Sequence, residues 1–217
     1  MAEMVQGSPE WLAERVGKLT ASRASAVVDR TAKGKPTADY ERYLMELVAE
    51  RLTGLSAPHF VSSEMLWGAE HEPVACAAYE FETDFDTTKI GFVPHPLIPM
   101  FGASPDRLVG SRGLVEFKCP TTLTHIKTIL AGTVPEDHCP QLDAQLACCP
   151  EREWVDFVSY DPRVPDDMRL FRRRVLRADR ADNIHNLEHE SRIFLAEVDA
   201  RIERLADACR PGLKEAA

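Results

Sequence analysis

The stretch from Ser104 to Pro120 constrains this chain more than any other; it reads Ser-Pro-Asp-Arg-Leu-Val-Gly-Ser-Arg-Gly-Leu-Val-Glu-Phe-Lys-Cys-Pro. A short run, Arg107 to Val109, enters a Gly110-Ser111-Arg112-Gly113 turn, and Leu114 to Lys118 has strand composition, so the segment reads as a β-hairpin. Side chains repeat every two residues along a strand, which puts Leu114, Glu116 and Lys118 on one face and Val115 and Phe117 on the other. Asp106 can face Glu116 and Lys118 from the end of the first strand. Two carboxylates meeting at one point repel, so the arrangement is stable only with a proton or a cation between them. Their oxygens suit a hard ion such as Mg²⁺ or Mn²⁺. Lys118 beside such an ion can orient a water and stabilise the extra negative charge of a phosphoryl transition state. A Glu-x-Lys tripeptide alone is frequent by chance and fits the wet face of any hairpin. Pro-Asp upstream, with a turn between, is what makes it read as chemistry.

The 217 residues, 44% of them apolar, suffice for one substantial core, and we expect a single domain over residues 1–217. No apolar run reaches membrane-spanning length and the start of the chain lacks a basic leader with a hydrophobic segment, so the expected location is the cytoplasm, with no membrane partner. The six cysteines show neither a Cys-x-x-Cys zinc pair nor regular spacing, and reduced thiols are expected. A net charge of −9 runs against phosphate binding, but the charges are segregated. From Arg15 to Arg42 there are seven Lys and Arg against three acids, while acids gather from Glu64 to Asp86 and towards the end of the chain. Such segregation permits a basic channel inside an acidic exterior.

Taken in order, Ser8-Pro9-Glu10-Trp11 starts a helix, and Gly17 to Ser22 turns into a second one, with Thr20 or Ser22 as cap and Arg23 to Val28 as body. Arg30 to Pro36 is a basic loop, expected to be flexible, in which Arg30, Lys33 and Lys35 either contact a DNA backbone or stay solvated. A helix from Thr37 or Asp39 to about Leu52 places Tyr40, Tyr43, Leu44, Leu47, Val48 and Leu52 at core spacing and stops at Gly54. The next helix runs from Ser62 or Ser63 to about Phe81; Gly68 inside it should have a packing reason or mark the close approach of another backbone. Strands are expected at Asp86 to Pro94, Pro99 to Ala103, Trp154 to Tyr160 and Met168 to Leu176. Helices are expected at about 121–130 and 135–149, and a long one at about 178–209.

Ser104-Pro-Asp106 followed by Glu116-Phe-Lys118-Cys-Pro resembles the PD-(D/E)xK nuclease signature in the form used by the lambda exonuclease, or YqaJ-type viral recombinase, family. Arg15-Val-Gly-Lys-Leu-Thr-Ala-Ser22 resembles that family's Arg-(Leu/Ile)-Gly-x-(Ile/Leu)-Thr-Ala-Ser block. Gly68-x-x-x-Glu72 resembles its Gly-x-x-x-Glu, Gln141-Leu-Asp143-Ala-Gln145-Leu-Ala its Gln-Val-Gln-x-Gln-Leu-Ala helix, and Tyr160-Asp-Pro-Arg163 its Tyr-Asp-Pro-Arg turn. The resemblance implies a restriction-endonuclease-like α/β core, a central mixed β-sheet flanked by helices. It implies that Asp106, Glu116 and the Phe117 carbonyl hold Mg²⁺, two ions per site with Mn²⁺ able to substitute, that Glu72 serves the second metal or its water, and that Lys118 positions the nucleophile. Glu70, the rival of Glu72, lies about 200° away around the helix. Arg15, Ser22, Ser104 and Gln141 are then the 5′-phosphate ligands, and we expect them to converge on the hairpin site; Asp143 departs from the family's glutamine. Met65 stands where the family has an apolar wedge, or is a core methionine.

The implied activity is 5′-to-3′ digestion of one strand of linear double-stranded DNA to mononucleotides, leaving a 3′ single strand for annealing-type recombination. A ring-shaped homotrimer, a single-strand annealing protein as partner and a phage or prophage origin in a bacterial host are implied with it. A RecB-like nuclease with an iron–sulfur cluster would need four clustered cysteines, and a restriction-type endonuclease would lack the phosphate pocket and cut closed circles. A non-catalytic DNA-end-binding protein or annealing-protein loader would not need the intact Asp106, Glu116 and Lys118.

Overall fold

The computed structural model describes residues 6–57 and 62–209. Helix α1 (Pro9–Arg15) starts where Ser8 accepts the N–H of Trp11 and Pro9 supplies a preset φ. Strand β1 (Leu19–Thr20) follows, then a 3₁₀ turn (Ala21–Arg23) and helix α2 (Ala24–Val28). Neither Thr20 nor Ser22 caps a helix: Thr20 makes no side-chain cap bond, and the Ser22 hydroxyl meets Thr20 and Arg15 instead. Helix α3 (Ala38–Thr53) is capped by Thr37 and stops at Gly54, whose φ of +71° suits a residue without a Cβ. Tyr40, Tyr43, Leu44, Leu47 and Val48 are buried as their spacing requires, but Leu52 is 57% exposed. Helix α4 (Ser63–Thr83) contains Pro73, and a Cβ on its Gly68 would meet open space, so nothing in the structure explains that glycine.

The expected strand from Asp86 to Pro94 is two strands in different sheets, β2 (Thr87–Lys89) and β3 (Val93–Pro94). Next come β4 (Phe101–Ala103), β5 (Arg107–Val109), β6 (Gly113–Lys118), α5 (Thr122–Ala131), α6 (Cys139–Cys148), β7 (Trp154–Tyr160), β8 (Leu170–Leu176) and α7 (Ala181–Ala208). A three-stranded sheet has the order β1-β4-β3 and a five-stranded one β2-β5-β6-β7-β8. The larger sheet is mixed, because β6 and β7 run parallel while its other pairs are antiparallel. The chain is thus an α/β domain with a central mixed sheet flanked by helices. Among the described residues no helix is long and apolar enough to cross a membrane.

Strand β6 lies at the centre, hydrogen-bonded to β5 and β7, and its two faces feed two cores. Leu114 joins the larger one with Val155, Phe157, Leu142, Leu146 and the α7 residues Ile184, Leu187, Phe194, Leu195 and Val198. Val115 and Phe117 join the smaller one with Ala75, Cys76 and Tyr79 of α4 and Val158 of β7. The period-two alternation is therefore present, on a strand buried from both sides. Leu205, near the end of α7, is 42% exposed. At the turn end of β6, Gly113 sits opposite Trp154, and a Cβ there would lie 2.2 Å from the indole, so only glycine permits this pairing.

Candidate active site

Three polar side chains close over the end of β6. Glu116 is 3% exposed; its Oε1 accepts Lys118 Nζ at 2.7 Å and Gln141 Nε2 at 2.6 Å, and its Oε2 accepts Gln145 Nε2 at 2.6 Å. Lys118 also donates to Gln141 Oε1 at 3.1 Å, so Glu116, Lys118 and Gln141 form a closed ring. Asp106 Oδ2 accepts the backbone N–H of Phe117 at 2.7 Å, which ties the end of the first hairpin strand to the second. Burial raises the Asp106 carboxyl well above its ordinary range, and the nearby charges of Glu116 and then Glu72 push it further. Burial acts to lower the Lys118 ammonium, but Glu116 and Asp106 outweigh it and hold it above its ordinary value, so Lys118 is a cation and hydrogen-bond donor here, not a base.

Glu72 comes from α4, on the opposite side of the sheet from α6. Its Oε1 accepts Arg107 Nη1 at 3.1 Å, and the same nitrogen donates to the Asp106 carbonyl at 2.7 Å. Glu72 is thus paired with Arg107, and among the described residues no group of three acidic, histidine or cysteine side chains is gathered tightly enough to hold a metal. A divalent cation nevertheless fits this place. The charges of Glu116 and Glu72 both act on the half-buried Asp106, and the buried Gln145 Oε1 has no hydrogen-bond partner. Asp106 and Glu116 would hold such an ion.

A second cluster adjoins the first. Arg15 Nη1 donates to Ser104 Oγ at 3.2 Å and its Nη2 reaches Ser22 Oγ at 3.5 Å, while the guanidinium lies 4.1 Å from the centre of the Trp11 ring. Trp11 Nε1 donates to the same Ser104 Oγ at 3.0 Å. Three of the four expected phosphate ligands are therefore together. Gln141 is in the other cluster, on Lys118 and Glu116. Ser104 and Asp106 are two residues apart, at most about 7 Å along the chain, and α6 packs on the turn that carries Ser22.

The basic segment is largely neutralised. Lys18 pairs with Glu14, Arg23 with Asp39 and Glu46, Arg30 with Glu190 and Arg42 with Asp39 and Glu46. Several of these acids lie outside the segment, which a local charge count does not include. Arg30 also donates to the Val27 and Asp29 carbonyls, and its loop is closed by an Arg30–Pro36 bridge and Thr31–Lys35 and Gly34–Thr31 hydrogen bonds. Lys33 and Lys35 are exposed. Met65 is 56% exposed and so is no core methionine. Asp143 is buried and accepts two bonds from Arg180, at 2.8 and 2.6 Å, which braces α6 against the start of α7 and turns it away from Gln141 and Gln145.

Sequence reasoning assigned no site role to Trp11, Arg107 or Gln145. Trp11 stands four residues before Arg15 and Gln145 four after Gln141, so helical spacing carried a signal for both. Arg107 had none, because its partner Glu72 is 35 residues away.

Residues 10–151 match the model of the YqaJ-like viral recombinase domain. Among solved structures, that of an alkaline exonuclease, LHK-Exo, from Laribacter hongkongensis is 44% identical with a TM-score of 0.85, covering 93% of this chain and 97% of that one. The structure of LHK-Exo in complex with dAMP gives the same values. A phage-related exonuclease from Haemophilus somnus 129PT, 15% identical with a TM-score of 0.60 over 85% of this chain, shares the fold. No curated protein matches the sequence.

Proposed function

The chain belongs to the YqaJ-like viral recombinase family and is a nuclease by its kinship with an exonuclease; from that premise we propose that it digests linear double-stranded DNA from a 5′-phosphorylated end, in the 5′-to-3′ direction, releasing 5′-mononucleotides. The observation that carries this reading is the junction of the two clusters. Ser104 accepts from Arg15 in a set of side chains suited to a terminal phosphate, and Asp106, two residues on, belongs to the acidic site. A bound 5′-phosphate would hold the next phosphodiester against Asp106, Glu116 and Lys118, which is positional catalysis. The dAMP held by the 44% identical relative is a mononucleotide of the kind such a reaction releases.

A divalent cation, Mg²⁺ by the resemblance with Mn²⁺ able to replace it, would supply Lewis-acid stabilisation of an in-line displacement at phosphorus. Asp106, Glu116 and the Phe117 carbonyl would hold it, and Glu72 would serve a second ion. Lys118, protonated between Glu116 and Gln141, orients the attacking water and offsets charge on the phosphoryl oxygens. Arg15, Ser22, Ser104 and Gln141 can all donate hydrogen bonds to phosphate oxygens, the planar guanidinium in the bidentate manner. The ring-shaped homotrimer, the annealing-protein partner, the 3′ single strand left for annealing, a cytoplasmic location and a single domain over the whole chain belong to the same proposal, carried by the family resemblance.

The test compares linear, nicked and closed circular duplex, each with and without a 5′-phosphate where an end exists. Fast release of mononucleotides from phosphorylated linear ends and none from closed circles is the expected result. Cutting of closed circles would replace this reading with a restriction-type endonuclease. Salt dependence gives a second check on the DNA contacts. Of the seven cations from Arg15 to Arg42, only Arg15, Lys33 and Lys35 have no acid partner among the described residues. Removing Lys33 and Lys35 together should flatten the slope of log K against log salt by up to about 1.8, at about 0.9 per phosphate neutralised, whereas Arg42→Ala leaves it unchanged. An unchanged slope in the double variant would remove this loop from the DNA interface.

A further inference from the structure

The Tyr160-Asp161-Pro162-Arg163 turn has so far no role, yet its arginine joins three parts of the site. Asp161 is fully buried and accepts the Arg163 backbone N–H at 2.9 Å, Nε at 2.7 Å and Nη2 at 3.0 Å. Burial acts to raise the Asp161 carboxyl, but the Arg163 side chain, Thr122 and the Arg163 N–H outweigh it and hold it at about 2, so the anchor stays ionised. Thus fixed, Arg163 Nη2 donates to the carbonyl of Pro120 at 3.0 Å, two residues beyond Lys118. The guanidinium also lies 4.3 Å from the centre of the Trp67 ring, and Trp67 in turn stacks on His71 with centroids 3.6 Å apart.

Trp67 and His71 belong to the part of α4 that carries Glu72, a part with no fully buried residue of its own. Pro73 cannot donate to the carbonyl four residues before it, which weakens the helix directly after Glu72. The buried residues of α4, Ala75, Cys76 and Tyr79, all lie beyond the proline. Before it, among the described residues, Glu72 pairs with Arg107, and Trp67 both packs at the edge of the smaller core and stacks on Arg163. We infer that Arg163 and Trp67 are positioning residues: their stack bolts the first half of α4 to the end of β6 and so sets the distance of Glu72 from Asp106 and Lys118. The inference rests on the assignment of Glu72 to the metal site.

The test uses the full chain and four variants. Arg163→Lys keeps the charge but loses the planar fork, Trp67→Leu removes the ring, Trp67→Phe keeps one, and Glu72→Gln tests the underlying assignment. Mn²⁺ affinity is read by electron paramagnetic resonance without DNA, alongside kcat and KM on phosphorylated linear duplex and the melting temperature. Arg163→Lys and Trp67→Leu should each weaken Mn²⁺ binding and lower kcat by about 10–100-fold, the usual effect of disturbing a metal ligand's support. KM and the preference for phosphorylated ends should stay as they are, because the Arg15 cluster is not part of the bolt. The double variant should be no worse than the worse single one, and Trp67→Phe should recover most of the loss. Wild-type Mn²⁺ affinity in folded Trp67→Leu, or losses that multiply in the double variant, would overturn the inference. If Arg163→Lys does not fold, the two Trp67 variants decide alone. If Glu72→Gln binds Mn²⁺ and cleaves like the wild type, the assignment of Glu72 fails and the bolt with it; if Glu72→Gln is impaired and Trp67→Leu is not, only the bolt fails.

Discussion

Asp106→Asn and Lys118→Ala should each lower DNA cleavage by at least about a thousand-fold, as expected when a charge that stabilises the transition state is removed from a water-poor site. They should fail in different ways. The amide oxygen introduced by Asp106→Asn can still accept the Phe117 N–H but carries no charge, so divalent-ion binding goes with the activity. Lys118→Ala keeps both carboxylates and should still bind Mn²⁺. Stability separates them further. The Asp106 carboxyl is held above its ordinary value of 3.8 in the folded chain, so between the unfolded and folded values the native state binds more protons than the unfolded one. Stability then falls as pH rises through that window. In metal-free protein at neutral pH, Asp106→Asn should therefore melt above the wild type. Lys118→Ala should melt below it, since it removes the cation that offsets Asp106 and Glu116. Thermal unfolding in a chelator, with and without Mn²⁺, checks both directions. More than a few per cent of wild-type cleavage by either purified variant would sink the hairpin assignment.

The second large effect is expected at Arg15. Its guanidinium has no carboxylate partner among the described residues; it lies on Trp11 and is hydrogen-bonded to Ser104 and Ser22 through hydroxyl oxygens. Burial lowers its pKa while the charges of Tyr43 and Glu50 oppose that shift, and the side chain stays a cation. A charged hydrogen bond contributes about 1.5–3 kcal/mol, so Arg15→Ala should cost roughly 10–100-fold in kcat/KM on phosphorylated ends. On hydroxyl ends it should cost little. The ratio of the two rates is the measurement, because it cancels general damage to folding or to metal binding. A variant that still prefers phosphorylated ends as strongly as the wild type would detach the Arg15 cluster from the 5′ end.

The Glu116–Lys118 pair and its alternation with Val115 and Phe117 were legible in the residues alone, because side-chain direction in a strand depends only on the backbone repeat. Ser8 and Thr37 at helix starts and Gly54 at a helix end were legible for the same reason: a cap is a contact between neighbours in the chain. The resemblance added Arg15, Ser22 and Ser104, and the fold brought them together. What a charge count could not reveal is which cations are free. Arg30 meets Glu190 across 160 residues, so a segment that reads as basic is mostly paired. Likewise Glu72 meets Arg107, Glu116 is held by Gln145 as well as Gln141, and Arg163 reaches both Pro120 and Trp67. Each of these depends on the close packing of distant segments, and neither propensity nor periodicity, which act over a few residues, carries that information. The sequence determined the chemical groups and their local faces; the tertiary structure decided which of those groups keep their charge and which are held in place by others.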